Sequence, residues 1–290
     1  MFWVIDKNLY KERNYESLLN CVERLEIPHV VVKVVPDLGK IIPADFDTHS
    51  YFGYIDDIPD VEIDPNQLIM VCGGISLSKV AIKNGWKPGS FNNENFDYVK
   101  WRNSPAGDFL LNRNVFVNTF RNIGTPDQEF FIRPCEDTKA FSGIVMKPEE
   151  FDKWRGEVLS VENDFHGGLD GNTMVTIAAL QKIYAEYRFF VVDGKIVTYS
   201  QYKLGDRVIH NADVDQRIIW FAAEMIQKWH PSRAFVIDVA DTPDGLKIVE
   251  YNGLNSAGFY ACDTSKIVAA IEAMRFHDDD VFSEFPGILL

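Results

Sequence analysis

No two of the four cysteines in this 290-residue chain form a CxxC pair. Cys21, Cys72, Cys135 and Cys262 are scattered, which fits a reducing compartment, and each is expected to act as a small buried hydrophobe. Basic residues are in short supply: 29 Lys and Arg face 43 Asp and Glu, a formal charge of −14. That field disfavours non-specific attachment to nucleic acid or anionic membranes, while leaving room for a local basic cleft. No apolar run approaches the ~20 residues needed to span a bilayer. The N-terminus, MFWVIDKNLYK, carries an acid inside its apolar stretch and resembles no secretory signal. Internal repeats and low-complexity stretches are also missing. A soluble, cytoplasmic protein is expected. What is present is ordinary for a globular chain, 46% apolar and 25% charged, long enough for two packed domains or one large α/β unit.

Strand and helix signals alternate through the first hundred residues. Residues 2–5, 29–35 and 67–72 are apolar or β-branched runs. Leu18, Leu19, Val22 and Leu25 give 15–25 a helical spacing, and 76–85 follows the Gly73-Gly74 turn as a second helix. This order predicts a mostly parallel sheet covered by helices. The glycine turn suits a tight bend, and could also present N–H groups to an anion. Residues 87–103, rich in Pro, Gly, Asn and aromatics, are expected to connect a first domain (1–100) to a second (101–290). There, 129–134 reads as a strand, 135–143 as a polar loop, and 147–159 as an amphipathic helix through Phe151, Trp154 and Val158. Residues 163–172 (NDFHGGLDGN) read as a flexible loop, 174–180 as a strand and 214–229 as a long helix. Asp278-Asp279-Asp280 is expected at a solvated turn or helix end.

The densest chemistry lies in 234–260, AFVIDVADTPDGLKIVEYNGLNSAGFY. Thr242-Pro243-Asp244-Gly245 is a turn signal between two apolar runs, so a hairpin is expected. Centred near Asp244, it sets Asp238 opposite Glu250, with Asn252 on the face of Glu250. Two carboxylates across a sheet repel, and a divalent cation would remove the conflict. Mg²⁺ takes hard oxygen ligands, several of them from water and phosphates. The alternative is an acidic, solvated strand face.

A second hairpin, AEYRFFVVDGKIVTYSQYK, turns at Asp193-Gly194. A simple register pairs Arg188 with Tyr199 and Glu186 with Gln201, and sets Lys203 against Tyr184. Glu186, Arg188, Gln201 and Lys203 then share a polar face, with Tyr187, Phe189, Val191, Ile196 and Thr198 toward the core. That polar face is either an exposed ion-pair ladder or a cleft wall where Arg188 and Lys203 meet phosphate oxygens. Arg133 at a strand end and Lys139 beside Ser142-Gly143 suit phosphate contact or ordinary surface charge.

The order FIRP (131–134), a loop to Gly143, EYRFFVVDGKI (186–196), Asp238 and VEYN (249–252) resembles the ATP-grasp superfamily over about residues 115–262. Arg133 stands where most of that superfamily has Lys. With DTKAFSG and EYRFFVVDG, this looks like a branch known mainly from bacteria and their phages, so a bacterial or phage-infected cell is the implied setting. The resemblance implies an α/β (α+β) fold, a pre-ATP-grasp domain followed by a two-subdomain ATP-grasp fold (small subdomain about 125–205, metal-binding subdomain about 206–290). Carried over by position, Arg133, Lys139 and Lys203 would contact ATP, with Ala178, Ala179 and Leu180 offering main chain to the adenine. That hinge lacks the acidic residue often found there. Arg188, Lys139 and Glu186 would serve catalysis, and Asp238, Glu250 and Asn252 would hold Mg²⁺.

The implied chemistry is ATP-dependent ligation: a carboxylate becomes an acylphosphate, then an amine or other nucleophile displaces phosphate. A small-molecule or peptide substrate bearing carboxylate and amine is implied. Rival readings give the acceptor role to a nucleic-acid end or a protein side chain, or make the chain a non-catalytic ATP-binding module. The net charge counts against a polynucleotide, and retention of Asp238, Glu250 and Asn252 against a degenerate relative. Substrate choice is assigned to 163–172, 253–263 and the front domain, none with a decodable motif. Oligomeric state has no signature either.

Overall fold

Three β-sheets organise the residues that the structure, a computed structural model, describes: 1–11, 13–35, 39–47, 58–136, 140–160 and 168–276. The first sheet is built from β1 (Phe2–Asp6), β2 (His29–Val35), β3 (Lys40–Pro43), β4 (Ile69–Cys72) and β5 (Pro88–Gly89), in the order β3-β2-β1-β4-β5. All its pairs are parallel except β2 with β3, as the alternating strand and helix pattern requires. Central β1 is buried on both faces. Trp3 and Ile5 pack with Leu18 and Val22 of α1 (Tyr15–Arg24), while Val4 packs with Leu77 and Val80 of α2 (Ile75–Lys83).

Residues 87–103 are not an open connection. Phe91, Phe96, Tyr98 and Trp101 are buried, and α3 (Tyr98–Asn103) starts where Asp97 accepts from the Val99 and Lys100 N–H groups. Aromatic density rather than helical periodicity carries the structure here, because a six-residue helix is too short to show a stripe.

A second sheet follows the order β6-β9-β7-β8: β6 (Val115–Thr119), β7 (Phe130–Pro134), β8 (Ile144–Met146) and β9 (Met174–Ala179). One face packs Phe130, Ile132, Val175 and Ile177 against Phe151 of α4 (Pro148–Ser160), with Trp154 and Val158 alongside, as the helical spacing predicts. The third sheet has the order β12-β11-β10-β13-β14, from β10 (Ala185–Val192), β11 (Lys195–Leu204), β12 (Arg207–Asn211), β13 (Ala234–Thr242) and β14 (Gly245–Gly253). It crosses the expected internal division near 205. Its outer helix α5 (Gln216–Lys228) buries Ile218, Ala222, Met225 and Ile226, one stripe at helical spacing, and Asp215 caps it through the Arg217 N–H at 2.9 Å.

The two faces of β10 serve different cores. Tyr187, Phe189 and Val191 pack toward α5, whereas Phe190 and Val192 pack with Trp3, Ile5 and α6 (Thr264–Glu272). The polar side chains of β10 lie on this second face, farther along the strand. Lys139, residues 163–167 and Asp278-Asp279-Asp280 lie outside the described residues. Among the described residues no helix is long and apolar enough to cross a membrane. The four cysteines are free and buried, as expected.

Candidate active site

Both hairpins form, and the first keeps its expected register. Thr242 pairs with Gly245 across Pro243-Asp244, and Asp238 lies directly opposite Glu250. Gly245 has φ +92°, a conformation that L side chains rarely adopt, which explains glycine at that corner. Asn252 shares the face of Glu250, donating from Nδ2 to Glu250 Oε1 at 2.8 Å.

The second hairpin departs from the simple register. Asp193 and Gly194 (φ +45° and +72°) make the two-residue turn, but irregularities at Phe190/Val191 and Glu186/Tyr187 shift the pairing. Arg188 therefore pairs with Ser200, not Tyr199. Glu186 pairs with Lys203 rather than Gln201, and Lys203 does not face Tyr184. Thr198 also leaves the face assigned to it, its Oγ1 accepting from the Asp263 N–H at 2.9 Å. An exposed ion-pair ladder is ruled out, since Glu186 and Arg188 are buried at 6% and 8% exposure.

Arg188 instead reaches across to β13. Its Nε donates to Asp238 Oδ1 at 2.9 Å and its Nη2 to Oδ2 at 2.7 Å, a two-pronged pair at a fully enclosed carboxylate. Burial pushes the Asp238 carboxyl up to about 6; Arg188 opposes the rise, and Glu250 and Glu186 add to it. Burial also acts against the Arg188 charge, but Asp238 outweighs it and the guanidinium stays firmly protonated. Nη1 donates to the Gly258 carbonyl at 3.2 Å. Among the described residues these bonds engage three of the five guanidinium N–H groups.

Each carboxylate here has its own cation. Glu186 accepts from Lys203 Nζ at 2.7 Å and from the Tyr202 hydroxyl at 2.5 Å. Burial, then the charges of Asp238 and Glu186, push the Tyr202 hydroxyl well up. Glu250 accepts from Arg133 Nη1 at 3.0 Å, and the Arg133 guanidinium lies 5.1 Å from the Trp101 ring centroid. Residues 87–103 supply that ring because they are stitched to the end of β7: the Tyr98 N–H donates to the Cys135 carbonyl at 2.8 Å.

A cleft of about 310 Å³ opens between the second and third sheets. Arg133, Ser142, Gly143, Arg188, Glu250 and Asn252 line it, together with residues 256–258. Gly143 has no room for a side chain, since an added Cβ would lie 2.5 Å from Phe131 Cζ. The remaining expected residues sit elsewhere. Glu186, Lys203, Ala178, Ala179 and Leu180 do not line this cleft, and Asp238 stands behind it, screened by Arg188. Ala178 and Ala179 belong to β9 itself, paired with Phe131 and Phe130, and Leu180 is the first residue beyond that strand.

Sequence reasoning does not single out Trp101, Tyr202, Tyr260 or the Gly258 carbonyl. Tyr202 is hidden by the shifted register, Trp101 by the lack of periodicity around it. The other two lie in 253–263, which reads in sequence only as a loop.

The oxygen donors suit a hard divalent cation. Glu250 and the Asn252 amide oxygen face the cleft, and each Asp238 oxygen that accepts from Arg188 keeps a second lone pair. Two guanidinium forks on the same cleft suit phosphate oxygens.

Comparison with known proteins agrees with this arrangement. A family model described as an ATP-grasp domain, the third family of its clade, matches residues 55–271. A search of curated proteins finds no match. Among solved structures, D-cycloserine synthetase DcsG superposes with a TM-score of 0.58 at 10% identity, covering 93% of this chain and 99% of that one. A RimK domain ATP-grasp protein from Sphaerobacter thermophilus DSM 20745 gives 0.56 at 13% identity, covering 93% and 98%. D-alanine–D-alanine ligase from Bacillus anthracis, complexed with ATP, gives 0.54 at 10% identity, covering 93% and 95%.

Proposed function

Because the chain belongs to this clade of ATP-grasp domains, we propose that it is an ATP- and Mg²⁺-dependent ligase joining a carboxylate to an amine. The observation that carries this reading is the meeting of Arg133, Arg188, Glu250 and Asn252 on one cleft between two sheets. D-cycloserine synthetase and D-alanine–D-alanine ligase, named for making small amino-acid products, share the fold. A small-molecule or peptide substrate bearing carboxylate and amine is therefore the substrate class proposed here.

Phosphoryl transfer asks little covalent work of side chains, so catalysis would rest on placement and charge. A substrate carboxylate oxygen bonds to the γ-phosphorus while its bond to the β-bridging oxygen breaks, releasing ADP. The amine nitrogen then attacks the acyl carbon, phosphate departs and the nitrogen loses a proton. Arg188 and Arg133 would hold the phosphoryl oxygens. Glu250 and Asn252, backed by Asp238, would hold Mg²⁺, which when bound neutralises charge on the phosphates. The family implies roles for Lys139 and Lys203 at the phosphates, for Glu186 beside Lys203, and for main chain at Ala178, Ala179 and Leu180 at the adenine. We place the division between the front domain and the ATP-grasp unit near residue 100, and the setting in the cytoplasm of a bacterial or phage-infected cell.

Glu250→Gln keeps the size of the side chain and removes its charge. Phosphate release on mixing protein, ATP, Mg²⁺ and an amino-acid mixture is expected to fall at least about a hundredfold, with thermal unfolding unchanged within roughly 2 °C. Wild-type turnover in the variant would take this hairpin out of the mechanism. Binding of ATP by the wild type with no phosphate released would mark a sensor instead.

A further inference from the structure

Arg188 is held by more than its carboxylate. Its guanidinium lies 5.3 Å from the Tyr202 ring centroid and 5.2 Å from that of Tyr260. The two rings stack, with centroids 4.8 Å apart. Tyr260 reaches this position with φ +48°, in the left-handed region that a bulky aromatic residue adopts only under constraint. The Asn14 carboxamide supplies that constraint. Its Nδ2 donates to the Tyr260 carbonyl at 2.9 Å and to the Cys262 carbonyl at 3.3 Å.

Asn14 breaks a local rule to do so. It occupies the N-cap of α1, where an Asn side chain ordinarily bonds its own helix, yet it makes no such cap. Its backbone is left-handed too, at φ +70°. The carboxamide serves a loop 246 residues away instead. A local preference set aside in this manner marks a position chosen for something other than the helix.

We infer that Asn14 is a positioning residue: by fixing Tyr260 it sets the plane of the Arg188 guanidinium, and so the aim of its remaining N–H groups at the transferred phosphoryl group. The inference rests on the ATP site proposed above, and it brings the first helix of the front sheet into that site.

Asn14→Asp keeps size and tolerance of positive φ but removes both donors; Asn14→Gly keeps the backbone and removes the side chain. Calorimetric titration with Mg²⁺ plus ADP, and with Mg²⁺ plus a non-hydrolysable ATP analogue, isolates the γ-phosphate as a ratio of affinities. Both Asn14 variants, like Arg188→Ala, are expected to lower that ratio about tenfold, with ADP affinity held within about twofold. A wild-type ratio in the Asn14 variants, alongside a lowered one in Arg188→Ala, would overturn the inference. Equal weakening toward both nucleotides would also overturn it, assigning Asn14 to fold maintenance. A wild-type protein that binds neither nucleotide would remove the proposed function first, and this inference with it.

Discussion

Replacing Arg188 by Met leaves the Asp238 carboxyl enclosed without its cation, and the cost depends on pH. In the wild type that carboxyl is raised from 3.8 to about 6, so between those values the native protein holds a proton that the unfolded chain has lost. Stability from this group therefore falls as pH rises through that window and is flat above about 6. Removing the guanidinium takes away the charge that opposes the rise, so in Arg188→Met the fall continues to higher pH. Each further pH unit adds about 1.4 kcal/mol to the gap between variant and wild type. From about pH 6 to about pH 8 the gap should grow by about 2–3 kcal/mol, which for a chain of this size is roughly 5 °C or more in Tm. At about pH 5 the gap should be small, because the carboxyl is then largely protonated in both proteins and Met can lie between the tyrosine rings. Thermal unfolding across this range tests the idea, with Arg188→Met/Asp238→Asn as the control in which the slope disappears. A gap independent of pH would refute the reasoning.

Burial pushes the Cys72 and Cys135 thiols up to about 12, so at about pH 8.5 only about one in 3,000 is a thiolate. Native protein should resist iodoacetamide for hours and react fully in urea; rapid native labelling at Cys135 would contradict its burial. Asp97→Ala removes the cap of the short helix that places Trp101 beneath Arg133. A loss of about 1 kcal/mol is expected, read as a fall of roughly 2 °C in Tm, and an unchanged Tm would show that the cap contributes nothing.

The elements with strong local chemistry were legible. Thr242-Pro243-Asp244-Gly245 and Asp193-Gly194 dictate two-residue turns, and counting outward from the first correctly sets Asp238 against Glu250. The same counting fails for Arg188, because a bulge is an added residue that no turn signal announces. β10 also misleads when read as half-exposed: its alternation of Glu, Tyr, Arg and Phe suggests one wet face, whereas every residue in it is buried. Charged side chains remain there because each meets a partner from another strand, Asp238 for Arg188 and Lys203 for Glu186. Such pairings depend on tertiary contact and leave no local trace. The short strands β3, β6, β8 and β12 escape a reading of the sequence for a related reason, their lengths of three to five residues giving little periodicity.

The doubly buried strand β10 constrains the molecule in one more way. Odd-numbered positions 187, 189 and 191 furnish one interior and even-numbered 190 and 192 the other. A slip of a single residue would exchange the occupants of both interiors and aim Arg188 at the wrong one. Drift can thus alter this strand only by swapping like for like at fixed parity, and any inserted residue must be absorbed by a neighbouring strand or turn.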